Sequence, residues 1–314
     1  MDNFSEKEFE KALNQTLEEL KILKIPSKEK RAFLLGGQPG AGKSGMTILL
    51  TKEIENENII VINGDDFRKK HPHFIELQKI YGKEAVEYTK TFAGKMTEAL
   101  INKLSDEGYN LIIEGTLRTA KIPLKTQQEL SNKEYQVEMA VIQVRPEVSY
   151  LGTLTRYEEM IKRGLEPRAT LKKDHQIVVD NIADNLSELY KTKQFSNIRI
   201  FNRESECLYS MKDKPEIDPG TLIKKEFERD LTKEEKEQIL KGYDKVLEDM
   251  KQRKAPEEEI KIILMEKENS LNNKTLDSFE AMLKERENSL PENKISDSWE
   301  DKVFKGNSLK LGDD

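Results

Sequence analysis

Gly37-Gln38-Pro39-Gly40-Ala41-Gly42-Lys43-Ser44 reads G-x-x-x-x-G-K-S, the phosphate-binding P-loop. Its glycines let backbone N–H groups turn inward onto phosphate oxygens, and the N-terminus of the helix that follows adds its positive end. At this spacing Lys43 reaches the β- and γ-phosphates, and Ser44 supplies a hydroxyl to magnesium. The context fits: Phe33-Leu34-Leu35 is an apolar run suited to a buried parallel strand, and Gly42 to about Glu53 suits a helix. The motif calls for a nucleoside triphosphate and does not say what becomes of it.

Two further polar groups follow apolar runs. Ile59-Ile60-Val61-Ile62 leads into Asn63-Gly64-Asp65-Asp66, and Asn110-Leu111-Ile112-Ile113 leads into Glu114-Gly115-Thr116-Leu117-Arg118. In open α/β sheets, ligands sit outside the carboxyl ends of the strands, so carboxylates at these places face the phosphate site. Phosphoryl transfer needs positioning, charge neutralisation and a base beside the attacking hydroxyl. Asp65 is placed to be that base. The bland alternative is that Asp65 and Asp66 only cap the next segment. Arg156 and Arg168 flank a helix–helix link; two guanidinium groups there form a phosphate clamp or are ordinary surface charges. Glu98 falls mid-helix and by itself reads as a solvated charge. His71 and His73, at i and i+2, make no metal site alone, and Cys207 reads as a small buried apolar residue.

These residues need a scaffold of alternating strands and helices. Ser5 and Glu8 form a capping box, and Phe9, Leu13, Leu17 and Leu20 recur at helical spacing, so residues 5–24 read as an amphipathic helix packed on the core. Helices are expected at about 83–104, 122–133, 147–163 and 170–191, and strands at 137–144, 198–201 and 207–209. The order is that of an α/β P-loop fold with a mostly parallel sheet flanked by helices. Residues 1–211 make the kinase-like domain, 212–220 a linker, and 221–314 a charged helical extension without a catalytic pattern. In that extension Thr232 and Glu235 form a second capping box, Pro256 starts another helix, and a third is expected near 274–288.

Composition narrows the class. The chain has 314 residues, of which 36% are charged, and a net charge of −6. That balance argues against nucleic acid, which favours basic stripes. The single cysteine cannot form an internal disulfide, as suits a reducing cytoplasm. No apolar stretch approaches the roughly 20 residues of a membrane span. The expectation is a cytoplasmic protein with no membrane and no nucleic-acid partner. No guanine-specificity N-K-x-D is present, and no strand ends in the Asp-Glu pair of motor ATPases.

Together, Gly37–Ser44, Val61–Pro72, Asn110–Thr116, Ser149–Tyr157 and Arg168–Thr170 resemble the zeta toxins, the kinase components of epsilon–zeta type toxin–antitoxin systems, in order and separation over roughly residues 1–211. The resemblance implies an ATP- and Mg2+-dependent kinase that phosphorylates the 3-hydroxyl of the amino sugar in UDP-N-acetylglucosamine and so diverts a peptidoglycan precursor. Carried over by residue, it implies that Lys43 binds phosphate, Ser44 holds magnesium and Asp65 is the base. It makes Glu98, Glu114, Thr116 and Arg118 substrate-binding groups, which sets aside the bland reading of Glu98. It makes Arg156 and Arg168 the arginines that close over the triphosphate. It also implies a small helical, epsilon-like antitoxin that covers the ATP site. Asp66 departs from the pattern, standing where the family commonly has a small hydroxyl residue. Residues beyond about 220 are not explained by the resemblance. The rival readings are another P-loop small-molecule kinase, and a nucleotide-gated binding protein that uses the helical tail as effector.

Overall fold

The computed structural model describes residues 4–165, 167 and 169–270. Arg168 and the helix expected near 274–288 therefore lie outside the described residues. Six strands form one sheet: β1 (Arg31–Gly36), β2 (Ile60–Asn63), β3 (Leu111–Glu114), β4 (Gln136–Ile142), β5 (Asn197–Phe201) and β6 (Cys207–Ser210). Their spatial order is β2-β3-β1-β4-β5-β6. All pairs are parallel except β5 with β6. Both faces of the central strands are covered, so their residues read as continuous apolar runs rather than alternating ones. Ala32 to Leu35 and Val137 to Ile142 are buried throughout. The α/β fold with a mostly parallel sheet is the one the sequence called for.

The chain leaves β1 for β2 and β3 on one side and for β4 and β5 on the other. That reversal opens a crevice at the carboxyl end of β1, where ligands of such sheets bind. The helices around it follow from local signals. α1 (Glu6–Lys21) has the Ser5–Glu8 capping box and buries Phe9, Leu13 and Leu17 in the same core cluster as Phe92, Met96 and Leu100 of α5 (Ala85–Asp106). α2 (Lys43–Lys52) starts at the P-loop. Two short helices had no clear sequence signal: α3 (Gly64–Phe67) and α4 (Phe74–Tyr81). α6 (Lys121–Ser131), α7 (Pro146–Lys162) and α8 (Lys172–Thr192) complete the walls. His71 is buried against the rings of Phe4 and Phe92.

Cys207 corrects an expectation. It is exposed, standing at the first position of the edge strand β6 where the pairing with β5 turns irregular, whereas Tyr209 two residues on is buried.

The region after residue 211 is more closely joined to the sheet domain than its composition suggested. The chain up to Lys267 forms one compact unit, and Glu268–Asp314 is a second, of which residues 268–270 are described. α9 (Pro219–Glu228) begins inside the expected linker, with Asp218 as its cap. A methyl at Gly220 would overlap the Ala183 carbonyl of α8. α10 (Lys233–Gln252), opened by the Thr232–Glu235 capping box, packs Ile239, Tyr243, Val246, Leu247 and Met250 around Leu151 of α7, with Ile263 of α11 (Glu257–Asn269). Gly242 lets α10 approach so closely that any side chain there would overlap Leu151. The buried Arg145 guanidinium donates to the carbonyls of Glu226 and Phe227 at 2.9 and 2.8 Å, satisfying the end of α9. Among the described residues no helix is long and apolar enough to cross a membrane.

Candidate active site

The P-loop is bent by backbone that L side chains rarely adopt: φ is 76° at Gly40 and 100° at Gly42, the cap of α2. Gly40 also has no room for a side chain, because a methyl there would strike the Ser149 carbonyl and lie 2.7 Å from the Thr153 nitrogen. The loop is thus seated directly on α7. Gln38 fixes its other side, donating from Nε2 to the Val144 carbonyl just past β4 at 2.9 Å. Lys43 folds back over the loop, donating from Nζ to the carbonyls of Gly37 and Gln38 at 2.9 and 3.2 Å. Burial pulls its ammonium down to about 8, with Arg156 adding to the shift and Glu114 and Asp65 opposing it. Ser44, in the first turn of α2, is exposed to the cleft.

Asp65 and Glu114 stand at the carboxyl ends of neighbouring strands and are joined through Asn63. Its Oδ1 accepts the Asp65 backbone N–H at 3.1 Å, capping α3, and its Nδ2 donates to Glu114 Oε2 at 3.1 Å. The other oxygen of Glu114 accepts the Thr47 hydroxyl at 3.0 Å. Burial pushes the Glu114 carboxyl up, and the nearby Asp66 and Asp65 add to this, while Thr47 and Lys43 oppose it. Asp65 keeps 57% of its side chain exposed and accepts from Arg68 Nε at 3.0 Å. Arg68 in turn donates to the Val86 carbonyl at 2.7 Å and to the Thr89 hydroxyl at 3.2 Å, locking α3 against α5.

These groups open into one cleft of about 1660 Å³. Pro39, Gly40, Gly42, Lys43 and Ser44 line it, as do Asp65, Glu98, Glu114, Thr116, Arg118 and Arg156. Gly37, Gln38 and Ala41 complete the loop behind, with Gln38 and Ala41 buried. Glu98 reaches across from α5 to Lys125 Nζ on α6, 2.6 Å away. Arg156 Nη2 donates to the Thr170 hydroxyl at 3.3 Å. So, apart from Gly37, Gln38 and Ala41, the described candidates share one cavity. Thr47, Asn63, Arg68 and Lys125 were not singled out in the sequence. Their signals are slight: Thr47 lies one helical turn after Lys43, and Arg68 one turn after Asp65.

A model of the family described as Zeta toxin matches residues 14–214. The chain belongs to the zeta toxin family. The toxin PezT of Streptococcus pneumoniae serotype 4 is 47% identical over 214 residues, 68% of this chain and 84% of that protein. Toxin zeta of Streptococcus pyogenes is 43% identical over 256 residues, 81% of this chain and 89% of that one. Family members therefore reach well past residue 220, in keeping with the packing of α9 and α10. A solved structure described as belonging to the PezAT chromosomal toxin–antitoxin system of Streptococcus pneumoniae superposes with a TM-score of 0.71 at 41% identity, covering 80% of this chain and 98% of that one. The fold extends to the AvrRxo1-ORF1:-ORF2 complex solved with ATP, with a TM-score of 0.52 at 15% identity over 75% of this chain and 79% of that one.

Proposed function

We propose that this protein is a toxin-type kinase that transfers the γ-phosphoryl group of ATP to the 3-hydroxyl of the amino sugar in UDP-N-acetylglucosamine, withdrawing a peptidoglycan precursor. The observation that carries the reading is the convergence of Asp65 and Glu114 on Lys43 at one sheet edge. A hydrolytic switch needs only a water there. Two carboxylates and a wide cleft suit a hydroxylated acceptor. The cleft, about 1660 Å³, exceeds the roughly 300–1,000 Å³ of a pocket for a single drug-sized ligand, as a site for two nucleotides must.

In this reading the P-loop amides and Lys43 hold the β- and γ-phosphates, and Arg156 and Arg168 neutralise charge on the transferring group. Asp65 accepts the proton of the attacking sugar hydroxyl as the oxygen–phosphorus bond forms, and ADP leaves. Arg68 keeps the Asp65 carboxylate turned to the cleft. Glu98, Glu114, Thr116 and Arg118 hold the sugar nucleotide. Glu98 exchanges its Lys125 partner for the acceptor.

Among the described residues no group of three or more His, Cys, Asp or Glu forms a metal cage. That suits Mg2+, which takes few protein ligands and draws the rest from phosphates and water. The exposed Ser44 hydroxyl would be its protein ligand, and Asp66 would serve as a water contact. Bound there, the ion neutralises the phosphates. The toxin names of the relatives, and the toxin–antitoxin system of the solved one, support an antitoxin as partner.

The test is incubation with ATP, Mg2+ and UDP-N-acetylglucosamine, followed by mass spectrometry and NMR of the sugar. A gain of one phosphoryl group at C3 is expected. Phosphorylation of a different acceptor alone would reassign the protein to another small-molecule kinase. Bound ATP with no acceptor phosphorylated would overturn the kinase reading.

A further inference from the structure

Arg203 lies in the turn between β5 and β6, and that turn is closed on itself. Asn202 donates its N–H to the Glu206 carbonyl at 3.0 Å, and Ser205 donates to the Asn202 carbonyl at 3.2 Å. The Asn202 side chain accepts the Glu206 N–H at 2.8 Å and donates to Glu206 Oε2 at 2.7 Å. The turn is therefore preorganised, and Glu206 is already engaged by Asn202. Of residues 202–206, Arg203 lines the cleft.

Its side chain runs across the outside of the P-loop. A methyl at Gly42 would lie 3.4 Å from Arg203 Cγ, and one at Gly152 would lie 3.3 Å from its Nη2. The stem thus spans from the cap of α2 to α7, over two positions that carry no side chain. Several other arginines are spoken for: Arg68 by Asp65, Arg145 by Glu147, Arg199 by Glu53, Arg253 by Glu158. Among the described residues no hydrogen bond or ion pair occupies the Arg203 guanidinium.

The sheet order says which part of a nucleotide it meets. Asp65 and Glu114 follow β2 and β3, on one side of β1; Arg203 follows β5, on the other side beyond β4. A triphosphate laid on the P-loop with its γ end toward the carboxylates has its nucleoside end toward β5. We propose that Arg203 binds the nucleoside end of ATP, with the guanidinium plane stacked on the base. Guanidinium groups stack on aromatic faces and are more weakly hydrated than ammonium groups. The inference rests on the reading of this cleft as an ATP site, and it adds the residue that grips the base.

The experiment measures binding of ATP and of inorganic tripolyphosphate, with Mg2+ and without acceptor, to native protein, Arg203→Ala and Arg203→Lys. The substitutions leave the fold intact, because Arg203 is exposed; thermal midpoints check this. Loss of the stacked cation weakens ATP roughly tenfold in Arg203→Ala. Tripolyphosphate binding stays near native, and Arg203→Lys recovers only part of the loss. Unchanged ATP affinity in Arg203→Ala overturns the proposal. So does an equal loss for tripolyphosphate, which would make Arg203 a phosphate contact. Failure of native protein to bind ATP would instead overturn the nucleotide site itself.

Discussion

Gly40 of the P-loop and Gly152 of α7 meet backbone to backbone: a methyl on Gly152 would lie 2.5 Å from the Gly40 carbonyl oxygen. Neither side can move without the other, since Gly40 is also pinned over Ser149 and Thr153. Gly152→Ala is therefore expected to push the P-loop off its seat and weaken ATP binding by at least about tenfold, with a smaller loss of stability of roughly 1–3 kcal/mol from overpacking. Calorimetric titration with ATP, beside thermal melting, measures both. Native affinity in the variant would show that the loop tolerates the displacement.

Asn63 serves two neighbours at once, so its loss has two signatures. Asn63→Ala removes the cap of α3, costing about 1 kcal/mol of stability. It also frees one oxygen of Glu114, so the rate of transfer falls while ATP affinity stays near native. Kinetics with varied acceptor, run beside a denaturant melt, separate the two. Thr47→Val frees the other Glu114 oxygen and is expected to slow transfer without the α3 signature.

The pH dependence of ATP binding follows from Lys43. In the free protein burial holds its ammonium down to about 8, below the usual lysine value. The charged form is the one that binds triphosphate, and bound phosphate raises the value again. Affinity is then level below pH 8 and falls as pH rises through it, by up to about tenfold per unit. Lys43→Arg keeps its charge over this range and is expected to flatten the profile. Titrations between pH 6.5 and 9.5 test the sign; affinity that rises with pH would contradict the assignment.

The C-terminal helices are held by a pair whose carboxylate is buried and whose guanidinium is half-buried. Arg253 donates from Nε to Glu158 Oε2 at 2.7 Å and from Nη2 to Oε1 at 3.0 Å, and Glu158 on α7 is 5% exposed. Arg253→Ala leaves that carboxylate buried without its cation and is expected to cost about 3–5 kcal/mol. The double variant Arg253→Met, Glu158→Leu should recover much of this. Thermal or urea melts of the three proteins test it, and a cost under about 1 kcal/mol for the single change would contradict the account. Removal of residues 221–314 would by the same reasoning expose Leu151 and strip α8 of its cover. It is thus a test of folding before it is a test of the tail as an effector.

What the sequence disclosed, and what it hid, divides along one physical line. Local signals were legible: the P-loop, the apolar runs of β1 to β5, both capping boxes, and the polar groups that end β2 and β3. Asp65 and Glu114 could be chosen because a parallel sheet puts strand ends at the ligand. Features that depend on contacts between distant segments were not legible. Arg68 matters because α5 supplies the Val86 carbonyl and Thr89 hydroxyl. Lys125 matters because α6 stands opposite Glu98. Apolar residues could be picked out in the charged α10, but not that they pack on Leu151 of α7. Cys207 was misjudged because residue type says nothing about a position at the irregularly paired end of an edge strand.

The central claim is that Asp65 takes the proton from an acceptor hydroxyl, and the most direct measurement is single-turnover phosphoryl transfer to UDP-N-acetylglucosamine by native protein and Asp65→Asn. ATP affinity is measured on the same samples. The account predicts transfer reduced by about 100-fold or more in the variant, with ATP bound as tightly as in the native protein. Transfer by Asp65→Asn at the native rate would contradict it and remove Asp65 from the chemistry.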